Sequence, residues 1–167
     1  MKRATTNAWL LRTDSGARVA IGGRNLLHVL PDTPEPHRIP LAPAHLAWVI
    51  VWQGRLLPLA DLSGFDAAVD REDPGNARNA LLVGVTAFVA GETDAPGLGA
   101  LGFRGIPEQV TVSDEQACEL SADRASWRPV AVSCFMHPEH GAVPILDLRA
   151  LFRRGQLPAI ETLLDPA

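Results

Sequence analysis

The chain is short of cysteine, of excess charge and of long apolar runs. Two cysteines, Cys118 and Cys134, in 167 residues do not make the disulfide framework of a small exported domain. With 15 Lys and Arg against 19 Asp and Glu, the formal net charge is -4, and the broad basic footprint that nucleic acid requires is missing. No apolar stretch approaches the roughly 20 residues that cross a bilayer. The apolar segment Ala8 to Leu11 behind Lys2 and Arg3 is too short for the central region of a signal peptide. These absences predict a cytoplasmic protein that inserts in no membrane. A phosphate-binding loop is absent too: "GLGALGFRG" at 97–105 alternates like a strand and no long helix follows it, so neither a nucleotide nor another cofactor is expected.

What is present suits a folded chain. Apolar residues make up 47% and charged residues 20%, enough for a sizeable core in one medium domain or two small barrels sharing a core. Short apolar runs of period two, separated by Gly, Pro, Asn and Asp, predict a mainly β protein. The predicted strands are Trp9–Arg12, Arg18–Ile21, Trp48–Trp52, Leu56–Leu59, Leu81–Val89, Leu98–Phe103, Val130–Phe135 and Val143–Leu146. Prolines 31, 34, 36, 40 and 43 predict an extended connector, because each removes a backbone donor and fixes φ. Polar stretches at 63–79, 91–97 and 113–126 read as loops, the first and last with room for a helical turn, and the midline falls near 70–76.

One phrase occurs twice: "GRLLPLADL" at 54–62 and "GAVPILDL" at 141–148. Gly54 and Gly141 supply turn torsions. Pro58 and Pro144 enter strands where a missing N–H is tolerable. Asp61 and Asp147, each followed by leucine (Leu62 and Leu148), leave the strand in position to cap a helix, predicted at Leu148–Phe152 and cut short at Ser63-Gly64 in the first copy. A repeat of strand, turn, strand and cap is the pattern of a duplicated small barrel.

Catalytic readings are weaker. Asp61 and Asp147 lack the Ser/Thr-Gly that follows each aspartate of an aspartic protease dyad. "DSGA" at 14–17 has the residue order of a homodimeric protease with Asp14 as catalyst, but Arg12 and Thr13 replace the apolar pair before it, and a hairpin turn requires the same residues. "HPEHG" at 137–141 gathers His137, Glu139 and His140 at a hairpin tip, and neither cysteine completes a metal-ligand pattern with them. No catalytic, cofactor or metal residues are predicted.

From Pro40 the run "PLAPAHLAWVIVWQGRLLPLADL" resembles the CheW family, with its proline pair, a strand ending in Asn-Leu-Arg-Gly and a Pro-Val-x-Asp-Leu phrase. Pro40, Pro43, Gly54, Pro58, Asp61 and Leu62 match. The segments "WLLRTDSGARVAIGGRNLLHVL" and "ALLVGVTAFVAGETDAPGLGALGFRGIPEQV" look like the family's opening strands and its later hairpin of long strands, and the likeness spans residues 9–153. It implies two intertwined five-stranded SH3-like β-barrels with short helices, a single domain over 1–167. The approximate halves are 18–70 and 80–153, with 9–17 and the tail 154–167 packing on them. It implies a non-catalytic adaptor coupling chemoreceptors to the regulatory domain of a CheA-type histidine kinase, in chemotaxis or pilus-linked motility. A standalone interaction module with another partner is the alternative.

The chain departs from the family where its members face receptors. Val51-Trp52-Gln53-Gly54 stands for Asn-Leu-Arg-Gly, so the arginine becomes Gln53, without its charge or forked donors. Trp48 stands for a glycine, and an expected acidic residue is His28, or Val29 with a one-residue slip. These residues are the partner-binding candidates. Trp48, Ile50 and Trp52 share one strand face, which reads either as core or as a hydrophobic docking patch. In the tail, Leu157, Ile160, Leu163 and Leu164 recur at helical spacing.

Overall fold

The computed structural model describes residues 4–32, 34–65, 82–89 and 96–153. The predicted midline at 70–76 and the tail at 154–167 lie outside these residues. In chain order the strands are β1 (Thr5–Arg12), β2 (Arg18–Gly22), β3 (Leu26–Leu30), β4 (His37–Arg38), β5 (Trp48–Trp52), β6 (Arg55–Ala60), β7 (Leu82–Val89), β8 (Pro96–Ser113), β9 (Ala131–His137) and β10 (Gly141–Leu146). One α-helical turn, α1 (Leu148–Leu151), follows. Turns of 3-10 helix occupy Ala44–Leu46, Leu62–Phe65, Asp114–Gln116 and Ala122–Val130.

The long strand β8 organises everything else. Its first part pairs antiparallel with β7, from Val89 opposite Pro96 to Leu82 opposite Phe103, and parallel with β6. Its second part pairs antiparallel with β1, from Arg12 opposite Arg104 to Thr5 opposite Ser113. Gly105, at φ 71°, sits beside the changeover, where a left-handed residue bends the strand out of one sheet and into the next. The first barrel takes β3, β5, β6, β7 and the start of β8, with β4 added on β5. The second takes the end of β8 with β1, β2, β10 and β9. Ala117 bridges to Phe135, drawing the stretch after β8 against β9.

The five-stranded, intertwined barrels expected from the sequence are present, but the strands do not divide into 18–70 and 80–153. β7 and the start of β8 complete the first barrel, while β1 and β2, from the beginning of the chain, belong to the second. Residues 9–17 accordingly supply the second half of β1 and the turn after it rather than packing from outside. The proline-rich connector contains β4, and β3 precedes it. Neither was marked by alternation: Leu26 to Leu30 is apolar at every position but His28, so it shows no period of two.

Three groups of buried side chains fill this architecture. Ile50, Leu57, Val83, Val85 and Ala100 fill the first barrel. Ala8, Leu10, Ala20, Val112, Phe135 and Val143 fill the second. Between the barrels lies a larger group that includes Leu11, Val19, Ile21, Leu101, Phe103, Trp127, Leu146, Leu151 and Phe152. Strand β2 is buried on both faces, since Val19 and Ile21 face the shared core and Ala20 the second barrel. Each fully buried Leu, Ile, Val or Phe contributes about 1.5–3 kcal/mol, so the shared core welds the barrels into one unit.

The repeated phrase now has a physical meaning. In each copy a hairpin runs into a strand whose proline lies opposite the partner strand, Pro58 opposite Val49 and Pro144 opposite Cys134. Parallel pairing on the other side is registered only after the proline, at Leu59 with Ala100 and at Ile145 with Ala20. The proline thus occupies the last open position of its strand. The aspartate N–H then reaches back to the turn before the hairpin: Asp61 donates to the His45 carbonyl at 2.8 Å and Asp147 to the Val130 carbonyl at 2.7 Å. A helical turn follows each aspartate.

Candidate docking surface

The β5–β6 hairpin carries four of the six partner-binding candidates. Trp52 pairs with Arg55, leaving Gln53-Gly54 as a two-residue corner with both residues left-handed, at φ 49° and 74°. Two successive positive φ values describe the type I′ turn, whose twist matches the flanking strands. Gln53 is exposed at this corner.

The corner fixes the register, and the register fixes which side chains face out. Ile50 is 0% exposed and lies opposite Leu57, itself buried. Trp48 and Trp52 share the Ile50 face and are half-buried, and Trp52 packs against the group that fills the first barrel. His28 on β3 tilts against Trp52 with ring centroids 5.6 Å apart, bringing β3 to β5 across the barrel. Trp52 thus packs at the barrel's rim, and Trp48 lies half-buried on the same strand face. The outward face carries Val51, 53% exposed, directly opposite Leu56, 67% exposed. Leu56 was missed in the sequence, although a two-residue turn at Gln53-Gly54 dictates that it stands beside Val51. Val29 on β3 is also exposed, as is Leu27.

Beyond Leu56 the surface dips into a groove of about 560 Å³ between β6, the β7–β8 pair and α1. Leu56, Pro58, Phe88, Leu98 and Phe152 line it, with Arg55, Arg149 and Arg153 at its walls. Phe152 stacks on Phe88 at 5.2 Å. The second copy of the phrase builds this wall: the Asp147 carboxylate accepts the Ala150 N–H at 3.2 Å, capping α1 as expected and aiming Phe152 back at the first barrel. Gln53, Val51 and Leu56 thus stand next to an apolar groove with a cationic margin, suited to an apolar segment bearing acidic residues.

The other motifs are accounted for locally. Asp14 lies in the β1–β2 turn, its carboxylate paired with the Arg104 guanidinium, which competes with the proton sharing that a catalytic dyad requires. His137 and His140 stack at 4.6 Å, and His137 Nδ1 accepts the backbone N–H groups of Glu139 and His140. That nitrogen orders the hairpin tip. Among the described residues no three His, Cys, Asp or Glu side chains gather to hold a metal ion, and no helix is long and apolar enough to cross a membrane.

No protein-family model matches the sequence, and no curated protein matches it significantly. Solved structures do match, 15 chains in all. One is the crystal structure of the scaffolding protein TtCheW from Thermoanaerobacter tengcongensis, which superposes with a TM-score of 0.66 over 90% of this chain and 94% of that one at 11% sequence identity. Intertwined barrels, the twice-used strand-and-cap phrase and this superposition lead to one conclusion: the chain has the CheW fold, in a widely divergent sequence.

Proposed function

We propose that the protein is a non-catalytic adaptor of a bacterial chemosensory complex, acting in the cytoplasm and binding the regulatory domain of a CheA-type histidine kinase. The observation that carries this reading is the match to a scaffolding protein along nearly the whole of both chains. Fold alone does not set function; the surface supports the reading further. An exposed Val51–Leu56 pair beside an arginine-walled groove is a binding feature, and the Asp14–Arg104 pair weighs against the protease alternative.

Receptor contact is changed in this reading. At the hairpin corner Gln53 offers an amide where the family's arginine offers a charge and forked donors, so receptor docking in the family's manner is weakened and the apolar hairpin face becomes the principal contact. A pull-down with the kinase regulatory domain and a receptor cytoplasmic fragment from the same genome tests this. Capture of the kinase with little or no receptor is the expected result. Capture of neither supports a standalone interaction module with a different partner.

A further inference from the structure

The sulfurs of Cys118 and Cys134 lie 2.7 Å apart, well inside the separation of two non-bonded sulfur atoms. Their approach is imposed by the backbone. The Cys118 N–H donates to the Cys134 carbonyl at 3.1 Å, Ala117 bridges to Phe135, and Gln116 Nε2 donates to the Met136 carbonyl at 3.3 Å. Gln116 is in turn fixed by accepting the Ser113 N–H at 2.9 Å. The two segments are thus pinned together on both sides of the thiol pair. Cys118 is partly exposed; Cys134 is only 4% exposed but lines a cavity of about 240 Å³ with Ala117, Ser133 and Phe135.

We propose that Cys118 and Cys134 form a reversible disulfide by exchange with a low-molecular-weight disulfide such as oxidised glutathione. This goes beyond the adaptor reading and does not depend on it. The Cys118 thiolate attacks one sulfur of the small disulfide; its S–S bond breaks and one small thiolate leaves. Cys134 then attacks the Cys118 sulfur, passing its proton to solvent, and displaces the second small thiol. Two protein thiols are oxidised and one small disulfide is reduced to two thiols, so atoms and electrons balance. The order follows from access: Cys118 is the partly exposed thiol, whereas burial and the neighbouring Cys118 push the Cys134 thiol up to about 12, which makes it a poor first nucleophile. Its later attack relies on its enforced proximity to the Cys118 sulfur. The bond closes the loop 118–134, which carries Trp127 and Val130 into the shared core. In a reducing cytosol both thiols stay free, and the staple forms when the thiol pool becomes oxidised.

The test is equilibration of the whole protein in mixtures of oxidised and reduced glutathione at neutral pH, with alkylation and intact-mass readout, in buffer and in denaturant. The expected end state in buffer has no alkylatable thiol and no glutathione adduct. Its effective thiol concentration is on the order of 100-fold higher than in denaturant, the size of loop-closure stabilisation for a loop this long. Cys134→Ser, or Cys134→Ala should the former fail to fold, traps a single glutathione on Cys118. A wild-type end state of persistent adducts or cross-linked dimers, or equal effective concentrations in buffer and denaturant, overturns the proposal.

Discussion

The backbone N–H of Asp147 donates to the carbonyl of Val130 at 2.7 Å while its carboxylate accepts the Ala150 N–H at 3.2 Å, so one residue ties the preceding turn to the following helix. Losing the side chain removes only the cap. Asp147→Ala is predicted to lower unfolding free energy by about 1 kcal/mol and Asp147→Asn by much less, since asparagine caps nearly as well. Urea denaturation of the two variants checks this.

Gln53 occupies a left-handed position, at φ 49°, that side chains other than Asn, Asp and Gly adopt at a cost. Gln53→Asn is expected to raise the urea midpoint by the equivalent of about 0.5 kcal/mol, and a β-branched Gln53→Val to lower it by more. Gln53→Arg leaves stability close to wild type and, in the adaptor reading, increases capture of the receptor fragment.

Gly99 faces the ring of Phe152, and a methyl group there would meet ring carbons at 2.5 to 2.7 Å. Phe152 is held by its stack on Phe88 and cannot swing away freely. Gly99→Ala is therefore predicted to cost about 1–3 kcal/mol. Combined with Phe152→Leu it should cost less than the sum of the single changes, because the clash is shared. A double-mutant cycle in denaturant measures the difference.

His45 lies at the junction of the barrels, edge-on to Phe65 at 5.3 Å. Burial holds its pKa below the ordinary 6.5, partly opposed by a hydrogen bond to the Leu151 backbone. A histidine whose folded pKa is depressed costs nothing above the unfolded value, and its folded state loses ground as pH falls below 6.5, where the unfolded chain takes up the proton first. The melting temperature is expected to decline from pH 7 toward pH 5.5, and His45→Gln to flatten that slope. An unchanged slope in the variant would assign the acid sensitivity to other groups.

Much of the fold was legible because its signals are local. The duplicated phrase marked two hairpins and two strand-to-helix junctions, where both aspartates stand and Asp147 accepts the capping hydrogen bond. Strand Trp48–Trp52 was located to the residue. The crossing of strands between barrels was not legible, since nothing in "LGFRGIPEQV" announces that Arg104 leaves one sheet for another; that depends on non-local pairing with β1. At the candidate surface, period two placed the tryptophans on one face but did not say which face the barrel would close over. Register from the Gln53-Gly54 corner reveals Leu56, whereas the arginine-walled groove depends on Arg149 and Arg153 arriving from the far end of the chain.

The central claim is tested most directly by titrating the purified protein with the regulatory domain of the CheA-type kinase from the same genome, by calorimetry, alongside the Leu56→Asp variant and the receptor fragment. The account predicts saturable one-to-one kinase binding by the wild type, and receptor binding that is weak and falls further in the variant. No heat of kinase binding up to about 100 μM, a concentration at which even a weak transient complex is populated, would contradict it.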